Sequence, residues 1–211
     1  MEEKKRQYIY GPVPSRRLGR SLGVDLVPYK TCTYDCIYCQ LGRTTNKTTE
    51  RREWVPTNEV LAQLKDRLSS RPDYITLSGS GEPTLHADMG RLIHEIKSVT
   101  DIPVAVITNG SLLWLSEVQA ALLEADLVVP SLDAGSEDLF KYVNRPHPQI
   151  RFDQMLSGLR GFRRLFHDQY WLEVFLLSGV TTVEARIKAL RDCIVDIAVM
   201  PLSLAGRDAC R

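Results

Sequence analysis

Three cysteines stand close together at Cys32, Cys36 and Cys39, in the run Lys30-Thr-Cys-Thr-Tyr-Asp-Cys-Ile-Tyr-Cys-Gln40, and no fourth lies near them. Thiolates are soft ligands that suit iron–sulfur clusters and zinc. Three of them can hold three irons of a [4Fe–4S] cube and leave the fourth iron without a protein ligand. A cluster that only carries electrons usually takes four cysteines. An open iron can instead bind a substrate or cofactor directly. Structural zinc, the alternative, wants four ligands, usually as two close pairs. The nearest histidine is His86, far along the chain from the cysteines. A redox dithiol would use Cys36 and Cys39 as C-x-x-C but leaves Cys32 without a role.

Other residues with chemical capacity fall at intervals. Tyr38 sets an aromatic ring beside the last cysteine, where a planar ligand can pack or the loop can be anchored. Lys30 brings a positive charge that would favour a reduced cluster, or is simply solvated. In Gly79-Ser-Gly-Glu-Pro83, Gly81 permits close backbone approach, Glu82 offers a carboxylate and Pro83 fixes the chain; the same residues also make a turn. Asn109, in Thr108-Asn109-Gly110, can both donate and accept, and Asn-Gly is also a turn signal. Ser131 and Asp133 carry polar groups in Pro-Ser-Leu-Asp, and Leu176-Leu-Ser-Gly179 offers apolar backbone. His147 is an acid–base candidate or a loop histidine.

The elements that must position these residues follow from two alternating periods. Apolar clusters predict strands at Ser21–Val27, Tyr74–Leu77, Val104–Ile107, Leu127–Val129 and Trp171–Leu177. Helical spacing after Pro56-Thr57, after Asp88, from Ser116, from Asp153 and from Thr181 through Ile194 predicts the helices between and after them. Ser116 with Gln119, and Thr181 with Glu184, read as capping boxes. Five βα units in succession imply an α/β fold with a parallel sheet and right-handed crossovers. Each chemical cluster then falls at a strand's C-terminal end, the edge where such folds bind ligands. The segment Leu41–Arg52 reads as an exposed polar loop, and Ile197–Met200 offers a sixth strand.

Composition bounds the rest. The chain has 211 residues, 44% hydrophobic and 25% charged, as expected of one globular domain. Lys plus Arg is 27 against 26 Asp plus Glu, so no global field selects nucleic acid or membrane. Arg16, Arg17 and Arg20, and Arg43, Lys47, Arg51 and Arg52, are local basic groups that suit phosphates or a solvated surface. The first residues show no secretory pattern, and no apolar run nears the roughly 20 residues that span a bilayer. A cytoplasmic protein without membrane contact is the expectation. Cys193 and Cys210 read as a buried helix residue and a tail thiol without a role.

The spacing of Cys32, Cys36 and Cys39, with Tyr38 before the last of them, resembles the signature of the radical S-adenosylmethionine (SAM) superfamily. The run from Gly11 to Cys32 is similar to the branch holding the wyosine-type tRNA-modifying enzymes, whose members mostly have unassigned substrates. The likeness extends over about residues 8–195. It implies a partial (β/α)6 barrel of the radical SAM type forming a single core domain across the chain. The core would occupy about residues 19–195, with an atypical tail at 196–211 that leaves the barrel short at its C-terminus. It implies a [4Fe–4S] cluster on Cys32, Cys36 and Cys39. It also implies SAM contacts from Tyr38, Gly81, Glu82, Pro83, Asn109 and Ser131, with the Gly-Glu-Pro segment receiving the methionine amino group. The expected reaction is reductive cleavage of SAM to a 5′-deoxyadenosyl radical that abstracts hydrogen from a substrate. An external flavodoxin- or ferredoxin-type electron donor is implied, with tRNA or another nucleotide as substrate, or a partner protein that receives a radical. One departure stands out: wyosine-type enzymes carry a second cluster near the N-terminus, and here no cysteine precedes Cys32. Rival expectations are a non-catalytic zinc or iron–sulfur module that docks nucleic acid, and an inactive truncated fragment.

Overall fold

Short apolar strands alternating with amphipathic helices can bury their apolar faces only by laying the helices on a shared sheet. The computed structural model, which describes residues 6–198, shows that arrangement. In chain order the elements are β1 (Ile9–Ser15), β2 (Gly19–Val24), β3 (Thr31–Cys32), β4 (Asn46–Lys47), α1 (Thr57–Arg67), β5 (Tyr74–Leu77) and α2 (Met89–Val99). They continue with β6 (Val104–Thr108), α3 (Ser116–Leu122), β7 (Leu127–Pro130), α4 (Glu137–Val143), α5 (Phe152–Leu165), β8 (Gln169–Tyr170) and α6 (Glu184–Ala198).

The main sheet runs β1-β2-β5-β6-β7-β8. From β2 to β8 every pairing is parallel, and each new strand adds on the same side of the last. The order never reverses, so there is no switch point of the doubly wound kind. Helix residues such as Leu64 of α1, Ile93 of α2, Val118 of α3, Phe162 of α5 and Leu190 of α6 all join one core with Leu22, Val24, Ile75, Leu77, Val104, Val106 and Val128 of the strands. Alternation along the strands puts Ala105, Leu127 and Val129 on the opposite face, where they form a separate small cluster with Leu18. Helices on one side of an unreversed parallel sheet define a barrel wall. The chain is the expected partial barrel, with five parallel strands and one antiparallel strand. Each fully buried Leu, Ile or Phe in the larger core contributes about 1.5–3 kcal/mol.

Several expectations shift. The first parallel strand is Gly19–Val24, earlier than Ser21–Val27; just past it the Asp25 N–H still bonds the Tyr8 carbonyl at 2.8 Å while its carboxylate holds the loop after β5. β1 was not expected: Pro12 and Pro14 argue against a strand, yet they are tolerated at the edge of a sheet. α4 was also missed; it is 7 residues long and capped by the Ser136 side chain. The predicted strand Trp171–Leu177 does not form: β8 lies just before it, at Gln169–Tyr170, and within the predicted span only an isolated bridge joins Glu173 to Ser131. Trp171 and Glu173 still donate to Val128 and Pro130, but Pro130 has no N–H to return a bond. Neither predicted capping box forms. Leu115 is the N-cap of α3 and Gln119 donates instead to the Leu113 carbonyl at 2.7 Å. The Thr181 hydroxyl accepts from the Leu177 N–H at 2.7 Å, closing the loop before α6. Asp153 lies inside α5 rather than capping it, paired with Arg151. Ile197, placed in a sixth strand, ends α6 instead, while residues 199 and 200 lie outside the described residues, as does Cys210. Cys193 is half-buried on α6. Among the described residues no helix is long and apolar enough to cross a membrane.

Candidate functional site

The C-terminal ends of β5, β6 and β7 meet the cysteine segment around a cavity of about 260 Å³. Its wall includes Cys32, Cys36 and Cys39, with Lys30, Gly81, Glu82, Asn109 and Ser131. Residues separated by up to about a hundred positions in sequence are thus gathered on one rim.

Backbone contacts bring the two sides together. Lys30 N donates to the Ser80 carbonyl at 2.7 Å, and Glu82 N to the Thr31 carbonyl at 3.1 Å. Only glycine fits at position 81: a Cβ there would lie 1.8 Å from the Thr31 oxygen. Asp25 receives both the N–H and the hydroxyl of Ser80, which fixes the turn that carries Gly81. Glycine at 81 is therefore required by the close passage of two protein segments.

Glu82 is buried, and its carboxylate is already surrounded by protein donors. Oε1 accepts from Thr84 N at 3.0 Å, Thr84 Oγ1 at 2.6 Å and Thr108 Oγ1 at 2.6 Å; Oε2 accepts from Asn109 N at 2.7 Å. Burial pushes this carboxyl above its ordinary range, and the donors pull it back. Glu82 thereby ties the end of β5 to the end of β6. Pro83 opens a buried 3-10 turn behind it and does not line the cavity.

Asn109 carries its side-chain amide to the cysteines: Nδ2 lies 3.5 Å from Cys32 Sγ and 2.7 Å from Thr33 Oγ1. Ser131 sits on the cavity wall, while Asp133 two residues on is buried behind it. Asp133 accepts from the Tyr38 hydroxyl, from Asn144 Nδ2 at 2.9 Å and from Phe175 N at 3.0 Å. Tyr38 stacks on Phe175 with ring centroids 4.4 Å apart, so its ring is committed to the protein and lies outside the cavity wall.

Two groups at the rim escaped the sequence reading. Asn144 donates to Cys36 Sγ at 3.5 Å; its position in a Pro-flanked segment far from the cysteines gave no signal. Tyr10, on the unexpected β1, lies across Gly23, where a Cβ would meet its ring at 2.0 Å, and its hydroxyl pairs with Ser78 Oγ at 3.0 Å. His147 donates its backbone N–H to Thr33, and its ring accepts from Gln149 N, which makes it a loop residue. His86 is buried with Nε2 on the Val55 carbonyl at 2.9 Å, away from the cysteines. The basic groups of the following loop are largely engaged. Arg51 bonds Thr84 O and pairs with Glu117, Arg52 lies over Trp54, and Lys47 donates to the carbonyls of Arg145 and Pro146.

Lys30 differs from these. It is buried and lines the cavity, yet its ammonium has no hydrogen-bond or ion-pair partner among the described residues. Its backbone is left-handed, with φ 60°, a conformation that costs a non-glycine residue about 1–2 kcal/mol. Bonds from Thr45 N and Asn46 N to the Lys30 carbonyl help hold it there.

The donor set fits an iron–sulfur cluster. Three thiols share one cavity, and N–H groups of Tyr34 and Asn109 point at Cys32 as that of Asn144 points at Cys36. Burial raises the Cys32 thiol to about 12 and the Cys36 thiol to about 11, so without a cation both are protonated at neutral pH. Among the described residues no group of three or more His, Cys, Asp or Glu side chains is gathered closely enough to hold a metal ion.

Residues 26–194 match the Radical SAM superfamily. A protein of Brachyspira hyodysenteriae named GTPase Obg is 53% identical over 83% of this chain, which spans 26% of that protein. A UPF0026 protein of Helicobacter pylori strain J99 is 35% identical over 99% of this chain and 68% of its own length. The chain thus spans between about a quarter and two thirds of the curated relatives it matches. Among solved structures, TYW1 with a lysine–pyruvate adduct bound superimposes with a TM-score of 0.60 at 17% identity, over 84% of this chain and 61% of that one. At that identity the likeness concerns the fold.

Proposed function

The chain belongs to the radical SAM superfamily, and from that membership we propose that Cys32, Cys36 and Cys39 hold a [4Fe–4S] cluster beside which SAM binds. When bound, the cluster supplies one electron that divides SAM into methionine and a 5′-deoxyadenosyl radical, the species that takes a hydrogen atom from the substrate.

The residues of this chain have separate tasks in that reaction. Lys30, on the cavity wall and without an ion-pair partner among the described residues, pairs with the carboxylate of the methionine end, an attraction strengthened by burial. Gly81 and its neighbours bring backbone groups to the same end. Glu82 keeps the ends of β5 and β6 in register, so that Asn109 and the backbone around it stay in place. Ser131 offers a hydroxyl to the ribose. Apolar groups such as Leu41 and Ile107 help keep water from the reacting atoms. An external flavodoxin- or ferredoxin-type protein delivers the electron. The substrate is proposed as a tRNA or another nucleotide, reached across the face of the sheet that carries no helices.

The observation that carries this reading is the convergence on one cavity of three thiols, the ends of β5, β6 and β7, and Lys30, whose ammonium has no partner among the described residues. Anaerobic reconstitution followed by dithionite and SAM tests it. Release of 5′-deoxyadenosine, absent from Cys36→Ala, is expected. A protein that carries one tetrahedral zinc and no visible cluster absorbance, or a loaded cluster that releases none, overturns it.

A further inference from the structure

The two asparagines at the cysteines share a geometry that fixes which end of each amide faces sulfur. Asn144 is buried, and its Nδ2 lies 2.9 Å from Asp133 Oδ2. A carboxylate paired with a phenol and an amide accepts from both, so the nitrogen end of Asn144 must be the one at Asp133 and at Cys36. Asn109 reaches the same result from the other side. Its Oδ1 accepts from Ser111 N at 3.0 Å, and a backbone N–H can only donate, so Nδ2 is left for Cys32 and Thr33. Each amide is locked by an independent network, one at the end of β6 and one just after α4. Among the described hydrogen bonds, Cys39 Sγ receives no comparable donor.

We propose that Asn109 and Asn144 are positioning residues that set the reduction potential of the centre, each by aiming a side-chain N–H at one ligand sulfur. The inference rests on the cluster reading above. An electron added to an iron–sulfur cluster spreads onto its thiolate sulfurs. N–H donors to those sulfurs stabilise the reduced form and raise the potential. Among the described residues Cys32 and Cys36 receive this help and Cys39 does not, so the added charge is drawn toward one side of the cavity. Asp133 acts through Asn144: by accepting from the amide and from Tyr38 it holds the second proton of Nδ2 toward Cys36.

The test is a potentiometric titration followed by EPR, on the anaerobically reconstituted full chain without SAM, confined to molecules with a loaded cluster. Asn144→Leu and Asn109→Leu each shift the midpoint to more negative potential. The double variant shifts by about the sum, because the two networks share no partner. Asn144→Gln, which keeps an amide donor, stays nearer the parent than Asn144→Leu. A purely structural role lowers cluster content or thermal stability but leaves the midpoint of the loaded fraction unchanged, and that result overturns the inference. If Asn144→Leu fails to load, the Asn109→Leu titration decides by the same criterion. A parent chain that assembles no cluster defeats the cluster reading itself, a failure distinguished by iron and sulfide content before any titration.

Discussion

The two faces of the sheet are built by different rules. The face toward the helices is lined by Leu22, Val24, Ile75, Leu77, Val104, Val106 and Val128, all fully buried and sharing one core with residues of all six helices. The opposite face carries Ser21, Gly23 and Thr76 beside a small apolar group of Ala105, Leu127 and Val129, closed in part by Leu18 from the β1–β2 turn. There a hydroxyl pair, Ser21 Oγ to Thr76 Oγ1 at 2.5 Å, stands where the other face has aliphatic packing. An ion pair between Arg17 and Glu173 at 2.7 Å links that turn to the segment after β8. One face supplies stability, and the other trades apolar contact for room and polar groups beside the rim.

The contrast can be broken by substitution. Phe162→Ala empties a fully buried position among the helices and is expected to cost about 3–5 kcal/mol in denaturant unfolding. Leu18→Ala, within a much smaller cluster, is expected at the low end of the Leu→Ala range, about 2–3 kcal/mol. If the two costs are equal, the faces do not differ in energetic weight. Gly81→Ala forces apart the Thr31 and Gly81 segments, for about 1–3 kcal/mol, and its larger effect is lost cluster uptake measured by iron content. Thr76→Val leaves the buried Ser21 hydroxyl without its partner on the face away from the main core and costs about 1 kcal/mol.

A pH dependence sharpens the same picture at the rim. The Cys32 and Cys36 thiols are raised to about 12 and about 11, chiefly by burial, and must lose their protons to bind iron. Assembly therefore releases protons and becomes more favourable as pH rises. Cluster uptake at limiting iron is expected to increase from pH 7 to pH 9, followed by visible absorbance; uptake independent of pH contradicts it.

The helix-facing half of the structure was legible because its signal is local. Val60, Leu61 and Leu64, or Leu92, Ile93 and Ile96, announce a buried helix face by spacing alone. The three cysteines were legible for the same reason. What escaped depends on partners remote in sequence. Asn144 matters because of Cys36, 108 residues away, and Tyr10 because Gly23 leaves space for its ring. β1 hid behind its prolines, which only an edge position accommodates. Tyr38 was legible as a neighbour of the centre, but its stacking on Phe175 depends on a strand end that the apolar run 171–177 did not resolve.

The central claim is that the cysteine cavity holds a cluster with one iron open to an exogenous ligand. EPR of the reduced, reconstituted protein with and without SAM tests it most directly. A [4Fe–4S] signal whose g-values change on adding SAM is the predicted result. A signal indifferent to SAM, or a protein whose three thiols bind a single zinc, would contradict it.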